Sequence, residues 1–486
     1  MSAKIGINRA SDFPAVIPAV FPGARSVMFR LSAALLVLVL VPGRSALAQL
    51  EHEQEPINYS RTEASDRVAQ LIAYMELGEI RLEWDSKHGY LSSLMNHLDV
   101  PISSQTLVFS KTSLQISRIA PRTPRAVYFN DDIYIGWVQR GDVIEISAAD
   151  PQLGATFYTL PQQLTDKPIL HRETSRCLQC HGSTHTRRVP GHIVRSVFPD
   201  SGGQPIFRLG THLTDDTSPF AERWGGWYVT GTHGRQRHMG NSWIVDESVS
   251  ENLDMEAGAN LTELASHFDV SPYLSAHSDI VALMVLEHQA TMHNVLTAAN
   301  HSGRITARDA LIMNKALERS PDFESESTTR RYSSAAENVV KALLFCGAVP
   351  LVDPVQGTSQ FQQEFAAAGP VDSKGRSLRK FDLKTRLFLY PCSFLIGSES
   401  FQQLPAGVQT RVWQRLDAIL SGQDNGPQFA HLSPEDRLAI REIVTETCPE
   451  AWPGAKDTTA LKTDLPQEPR NSANHDDRTR VSSPSI

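Results

Sequence analysis

Cys177-Leu178-Gln179-Cys180-His181 is the stretch of this 486-residue chain whose residue types and spacing promise chemistry. Two thiols three positions apart can each form a thioether to one of the two vinyl groups along an edge of a porphyrin. His181, the next residue, is then delivered beneath the ring with its imidazole on the metal. C-x-x-C-H is the attachment pattern of c-type haem. The chain has 5 Cys and 17 His, and random placement would give only about 0.002 such strings.

Two blander readings of the thiol pair stay open. C-x-x-C can be half of a zinc site, although Cys346, Cys392 and Cys448 are isolated and supply no second pair. It can also be a redox dithiol, which wants a parallel-strand context. The preceding run Pro168-Ile169-Leu170-His171-Arg172-Glu173 does not read as such a strand. The three other cysteines can form at most one disulfide among themselves and leave one thiol.

On these residues the chain resembles the c-type cytochromes, firmly over 177–181 and loosely over 166–245. The resemblance implies one covalent haem c held by Cys177 and Cys180, with His181 as the proximal iron ligand. It also implies single-electron exchange with a protein redox partner. The sixth ligand would be Met or His, and Met tends to raise the potential. Met239 follows His181 by 58 residues, and His233, His238 and Met239 share one Gly-rich segment, so all three are candidates. Glycines there let backbone approach a flat macrocycle closely. His288 lies on a helical stripe with Val281, Met284, Met292 and Val295, where a core histidine held by a hydrogen bond is the plainer expectation.

Arg172, Arg176, Arg187, Arg188 and Arg195 crowd the motif. Haem propionates are carboxylates, which guanidinium binds in a bidentate fork, and Arg176 and Arg188 are the expected contacts. The alternative is a solvated basic surface or a docking patch for an acidic partner. Two rival functions follow from the same motif: a haem-based sensor of small ligands, or a haem oxidoreductase with an open distal site. A single C-x-x-C-H counts against a multi-haem enzyme.

The elements that must position this motif read as an α+β chain. Residues 49–165 are β-rich, with runs at Thr106–Phe109, Arg125–Phe129, Ile133–Val138, Val143–Ser147 and Ala155–Leu160 separated by Asn, Asp and Gly turns. A helix is expected over Ser65–Leu77. The central segment, 166–245, is rich in Gly, His and Arg, with strand fragments expected at Ile206–Leu209 and Trp227–Thr230. Residues 246–452 read as mainly helical. Ile280–Ala299 is the longest helix, Ser334 and Glu337 suggest a capping box, and helices are expected over Val408–Leu420 and from Ser433 to Glu446. The tail, 453–486, has a disordered composition.

Composition sets the remaining limits. With 41% hydrophobic and 21% charged residues the chain is an ordinary globular one, and its net charge of −8 argues against nucleic acid as a partner. Met28-Phe29-Arg30, the apolar run Ala33–Val41 and Ala46-Leu47-Ala48 match an export signal at 28–48, with residues 1–27 as an upstream extension. That run is too short to span a bilayer. The expected destination is the periplasm, with no transmembrane span in the mature chain.

Overall fold

The alternation of apolar and polar residues between 106 and 161 builds a sheet with two unlike faces. The computed structural model describes residues 51–245 and 253–448. The expected export signal, the extension before it and the tail from 453 lie outside the described residues. In chain order the first elements are helices α1 (Arg67–Glu76) and α2 (Leu91–His97). Strands β1 (Thr106–Val108), β2 (Arg125–Phe129), β3 (Ile133–Trp137), β4 (Val143–Asp150), β5 (Gly154–Pro161) and β6 (His171–Arg172) follow. The motif forms the one-turn helix α3 (Leu178–His181). Then come β7 (Arg195–Val197), β8 (Thr211–Leu213), β9 (Trp227–Tyr228) and helices α4 (Ile280–Ala316) and α5 (Glu326–Leu343). Helices α6 (Phe361–Ala367), α7 (Glu399–Gln402), α8 (Ala406–Leu420) and α9 (Pro434–Thr447) complete the described chain.

Seven strands form one antiparallel sheet in the order β6-β5-β4-β3-β2-β1-β9, and β7 pairs with β8 separately. The register places Tyr128 opposite Ile135, and Ile135 opposite Ile146. These residues, with Ala126, Trp137 and Tyr158, make one apolar face that packs on Val68, Leu71, Leu91 and Leu94 of α1 and α2. The opposite face carries Val127, Phe129 and Tyr134, which join the larger core around α4. Farther along the same face, Ala155 and Phe157 pack against Leu178 and Cys177 of the motif and against Ile57 and Tyr59. Each aliphatic side chain buried this way contributes about 1.5–3 kcal/mol.

Helix α4 is the central strut. Asp279 caps it by accepting from the amides of Val281 and Ala282 at 2.8 and 3.2 Å. Residues 280–290 are all buried, so this end is apolar around most of its girth. No helix among the described residues is long and apolar enough to cross a membrane. The β-rich first half and the helical second half are as expected, and all five strands expected between 106 and 160 are present. The central segment does not stand apart from the sheet, because β9 pairs with β1 at its edge.

Three local expectations are corrected. Helix α4 does not stop near Ala299. It runs to Ala316, and Gly303 lets it approach Pro405 and Val408, where a Cβ would sit 2.9 Å from each. Ser334 and Glu337 lie inside α5, whose cap is Ser325 accepting from the Thr328 amide at 3.1 Å. The stripe Tyr332, Ala336, Val339, Val340 and Leu343 pays back the polar residues of its first turns by packing. Phe207–Leu209 is a tight 3-10 turn rather than a strand, with Phe207 exposed and Gly210 at φ +91° ending it.

Candidate functional site

The local chain around the motif is a single turn held from both sides. The amide of His181 donates to Cys177 O at 3.0 Å and that of Gly182 to Leu178 O at 2.9 Å. Leu178 anchors the turn in the small core under Phe157. Arg172 straps the preceding arm over the turn by donating to Thr62 O and Tyr59 O at 2.7 and 3.1 Å. The Tyr59 hydroxyl in turn donates to Ala155 O at 2.8 Å.

All five cysteines are free thiols. Cys180 is exposed and Cys177 half-buried. Burial, with Glu173 and Glu145 nearby, pushes the Cys177 thiol up to about 11. Among the described residues no three His, Cys, Asp or Glu side chains converge on a metal-sized point, so a zinc half-site has no second half.

His181 is held by hydrogen bonds from both its ring and its backbone. Its Nδ1 lies 2.9 Å from Gly191 O, and the Gly191 amide returns to His181 O at 2.8 Å. A carbonyl only accepts, so Nδ1 carries the proton and Nε2 the lone pair. Nε2 makes no hydrogen bond among the described residues. The ring rests against Phe157 at 4.9 Å, and burial lowers its pKa. A metal-binding histidine is held in this way, its second nitrogen donating to a backbone carbonyl. Two unpaired thiols, one of them accessible, beside an imidazole of this tautomer fit a covalently held haem.

A charge pair that sequence reading missed faces the motif. Arg125 Nη2 meets Glu145 Oε2 at 2.9 Å on the sheet, and both act electrostatically on Cys177 and His181. Gly136, opposite Glu145 in the register, makes room: a Cβ there would lie 2.2 Å from Arg125 Nη2. Arg125 Nε is buried without a partner. Arg125 precedes the motif by 52 residues, and only alternation along β2 and β4, placing Arg125 and Glu145 on one face, could have signalled it.

Arg176 is exposed and pairs with Glu173 at 3.3 Å. Arg187 and Arg188 are exposed and left-handed at φ +60° and +64°, and the Arg188 amide turns back to Ser183 O. Arg195 is committed to Thr211 Oγ1 at 2.7 Å.

The three distal candidates form a buried group of their own. Met239 Sδ accepts from Ser196 Oγ at 3.6 Å. His233 uses both nitrogens, donating to Gln236 O at 2.8 Å and accepting from the Asn260 amide at 2.9 Å. His238 Nδ1 accepts from the Gly240 amide at 3.0 Å, which places its proton on Nε2. His233 and His238 lie 4.7 Å apart between ring centres, beside Phe220 and Trp224. No hydrogen bond or ring contact among the described residues joins any of the three to His181.

His288 is a fastener. Its Nδ1 meets Asp216 Oδ2 at 2.7 Å and its Nε2 meets Ser393 Oγ at 2.8 Å. The order of groups is that of an acyl-transfer triad. However, Ser393 is fully buried, its Oγ also caps the turn Phe394–Gly397, and Phe345 stacks on the imidazole at 4.4 Å. The relay ties α4 to two loops.

No protein-family model, curated protein or solved structure matches this chain.

Proposed function

We propose that this protein is an exported c-type cytochrome that exchanges single electrons with a protein partner in the periplasm. Cys177 and Cys180 would hold one haem c by thioethers, and His181 Nε2 would be its proximal ligand. The observation that carries this reading is the 2.9 Å bond from His181 Nδ1 to Gly191 O, which fixes the ligand tautomer beside two reduced thiols. When bound, haem iron supplies reversible one-electron chemistry, and the protein sets its potential through ligand, hydrogen bonding and burial. Gly191 holds the imidazole in orientation, Phe157 and the strapped arm limit water around it, and Arg125 supplies positive charge beside the motif.

A second reading is a sensor or oxidoreductase with an open distal face. It is favoured by one observation: Met239 and His233 are already engaged, and His238 carries its proton on Nε2.

Acid-acetone extraction of the exported, matured protein tests the attachment. Haem should stay with the polypeptide, and Cys177→Ala and Cys180→Ala should each lose that retention. A colourless mature protein, or full retention in both variants, would overturn the proposal. Carbon monoxide added to the reduced protein then separates the readings, since only an open distal face shifts its spectrum.

A further inference from the structure

Beside Gly191, three elements bring four buried polar atoms close to one another. These atoms are His192 Nε2 from the loop before β7, Tyr134 Oη from β3, and Gln289 Oε1 and His293 Nδ1 from α4. The four residues are 7%, 8%, 0% and 3% exposed. The Tyr134 hydroxyl and the Gln289 side chain meet each other, which leaves His192 Nε2 and His293 Nδ1 as the unpaired atoms of the group. Buried polar groups are rarely left unpaired, so two in one place call for an occupant.

The two imidazoles are mounted as metal ligands are. His293 Nε2 lies 2.8 Å from Asp131 O, so Nε2 carries the proton and Nδ1 presents a bare lone pair. His192 Nδ1 is held by Ser147 Oγ at 3.3 Å. Asn294 clamps the His192 backbone, accepting from its amide at 2.8 Å and donating to its carbonyl at 2.7 Å. Both rings therefore stand on one rigid mount. Burial keeps both histidines neutral: His293 is pushed down to about 4 and His192 well below its ordinary value.

Separation decides the ligand class. Metal–nitrogen bonds of about 2.0–2.1 Å put two imidazoles sharing one ion roughly 5–6 Å apart between ring centres. The His192 and His293 ring centres are 5.6 Å apart, inclined at 62°. Tyr134 packs against the pair, its ring centre 4.3 Å from His192 and 6.2 Å from His293, and carries a phenol oxygen beside them. Two nitrogens and a phenol oxygen suit a first-row transition cation of borderline softness.

We propose that His192, His293 and Tyr134 form a second metal site that binds one zinc or copper ion close to His181. The site does not depend on haem being attached.

The full exported chain, purified untagged and without chelator, is analysed for metals. The expected result is one equivalent of zinc or copper per chain, counted apart from iron. The doubly haem-free variant C177A/C180A should keep it, so a colourless wild type would sink the cytochrome reading and leave this one standing. After stripping, Co2+ should restore one site with visible d–d absorption. H192Q/H293Q should lose that absorption, and Tyr134→Phe, which preserves packing, should weaken Co2+ binding at least ~10-fold. No zinc or copper and no Co2+ uptake by the wild type would overturn the proposal. So would uptake unchanged in both variants, or ordered water alone in a crystal soaked with Zn2+.

Discussion

His181 and Gly191 close an eleven-residue loop on themselves, side chain to carbonyl at 2.9 Å and amide to carbonyl at 2.8 Å. The glycine is required by space. A Cβ at 191 would lie 2.2 Å from Asn294 Oδ1 and 3.0 Å from Thr186 Cβ. Gly191→Ala should therefore push the loop away from α4 and lengthen the bond to His181. Overpacking of this kind costs about 1–3 kcal/mol, measured as a lower melting temperature. A melting temperature equal to the wild type would show that the loop is not tightly fitted.

Acid should destabilise the fold through its neutral histidines. Burial depresses His238 and His301 to about 3 and His293 to about 4, from 6.5. Between pH 6.5 and those values the unfolded chain binds more protons, so stability is fully present above 6.5 and lost as pH falls through the window. Each such histidine contributes a slope of about 1.4 kcal/mol per pH unit. His301→Gln can still donate to Gln152 O, the partner of His301 Nε2 at 3.2 Å. Urea melts from pH 7 to 4 should show a shallower decline for that variant, and parallel curves would disprove the role.

Legibility followed the range of the interactions. The five strands and the helices at 67–76, 406–420 and 434–447 carry their signals in local alternation and caps, and each lies within a few residues of its expected place. The motif itself was legible because three residues in five positions define its chemistry. Arg125, Glu145 and the His192–His293–Tyr134 group were not, since strand register and the crossing of α4 bring them together over long separations. Ser334 misled for the opposite reason: a local cap pattern was overridden by the apolar stripe that packs α5 on α4.

Arg125 should matter more than the arginines nearest the motif. Arg125→Gln leaves the Glu145 carboxylate, 13% exposed, facing Cys177 and His181 without its cation. Breaking a buried pair costs about 3–5 kcal/mol, and partial exposure brings the expectation to about 2 kcal/mol. Arg176→Gln, on the surface, should stay within about 0.5 kcal/mol of the wild type. In haem-loaded protein, Arg125→Gln should also lower the midpoint potential, because a positive charge near the iron favours the reduced state. Equal melts and equal potentials for the two variants would remove Arg125 from the site.

Glu287 should tilt stability the other way with pH. It is fully buried on α4, 2.9 Å from Arg223 Nη1 and beside Trp224. Burial outweighs the attraction of Arg223 and raises its pKa from 4.5 to about 8. Between those values the folded state binds more protons than the unfolded one. Its contribution is therefore complete below pH 4.5, declines by about 1.4 kcal/mol per unit as pH rises, and is gone above 8. Glu287→Gln keeps the shape and an acceptor for Arg223 while abolishing the titration. The histidines titrate in an overlapping range, but they are common to both proteins and cancel in the difference. Subtracting the variant's urea-melt stability from that of the wild type, pH by pH, should leave a line falling from 4.5 to 8. A flat difference would mean that Arg223 keeps Glu287 ionised throughout, and the pair would then act as a permanent ion pair between α4 and the segment before β9.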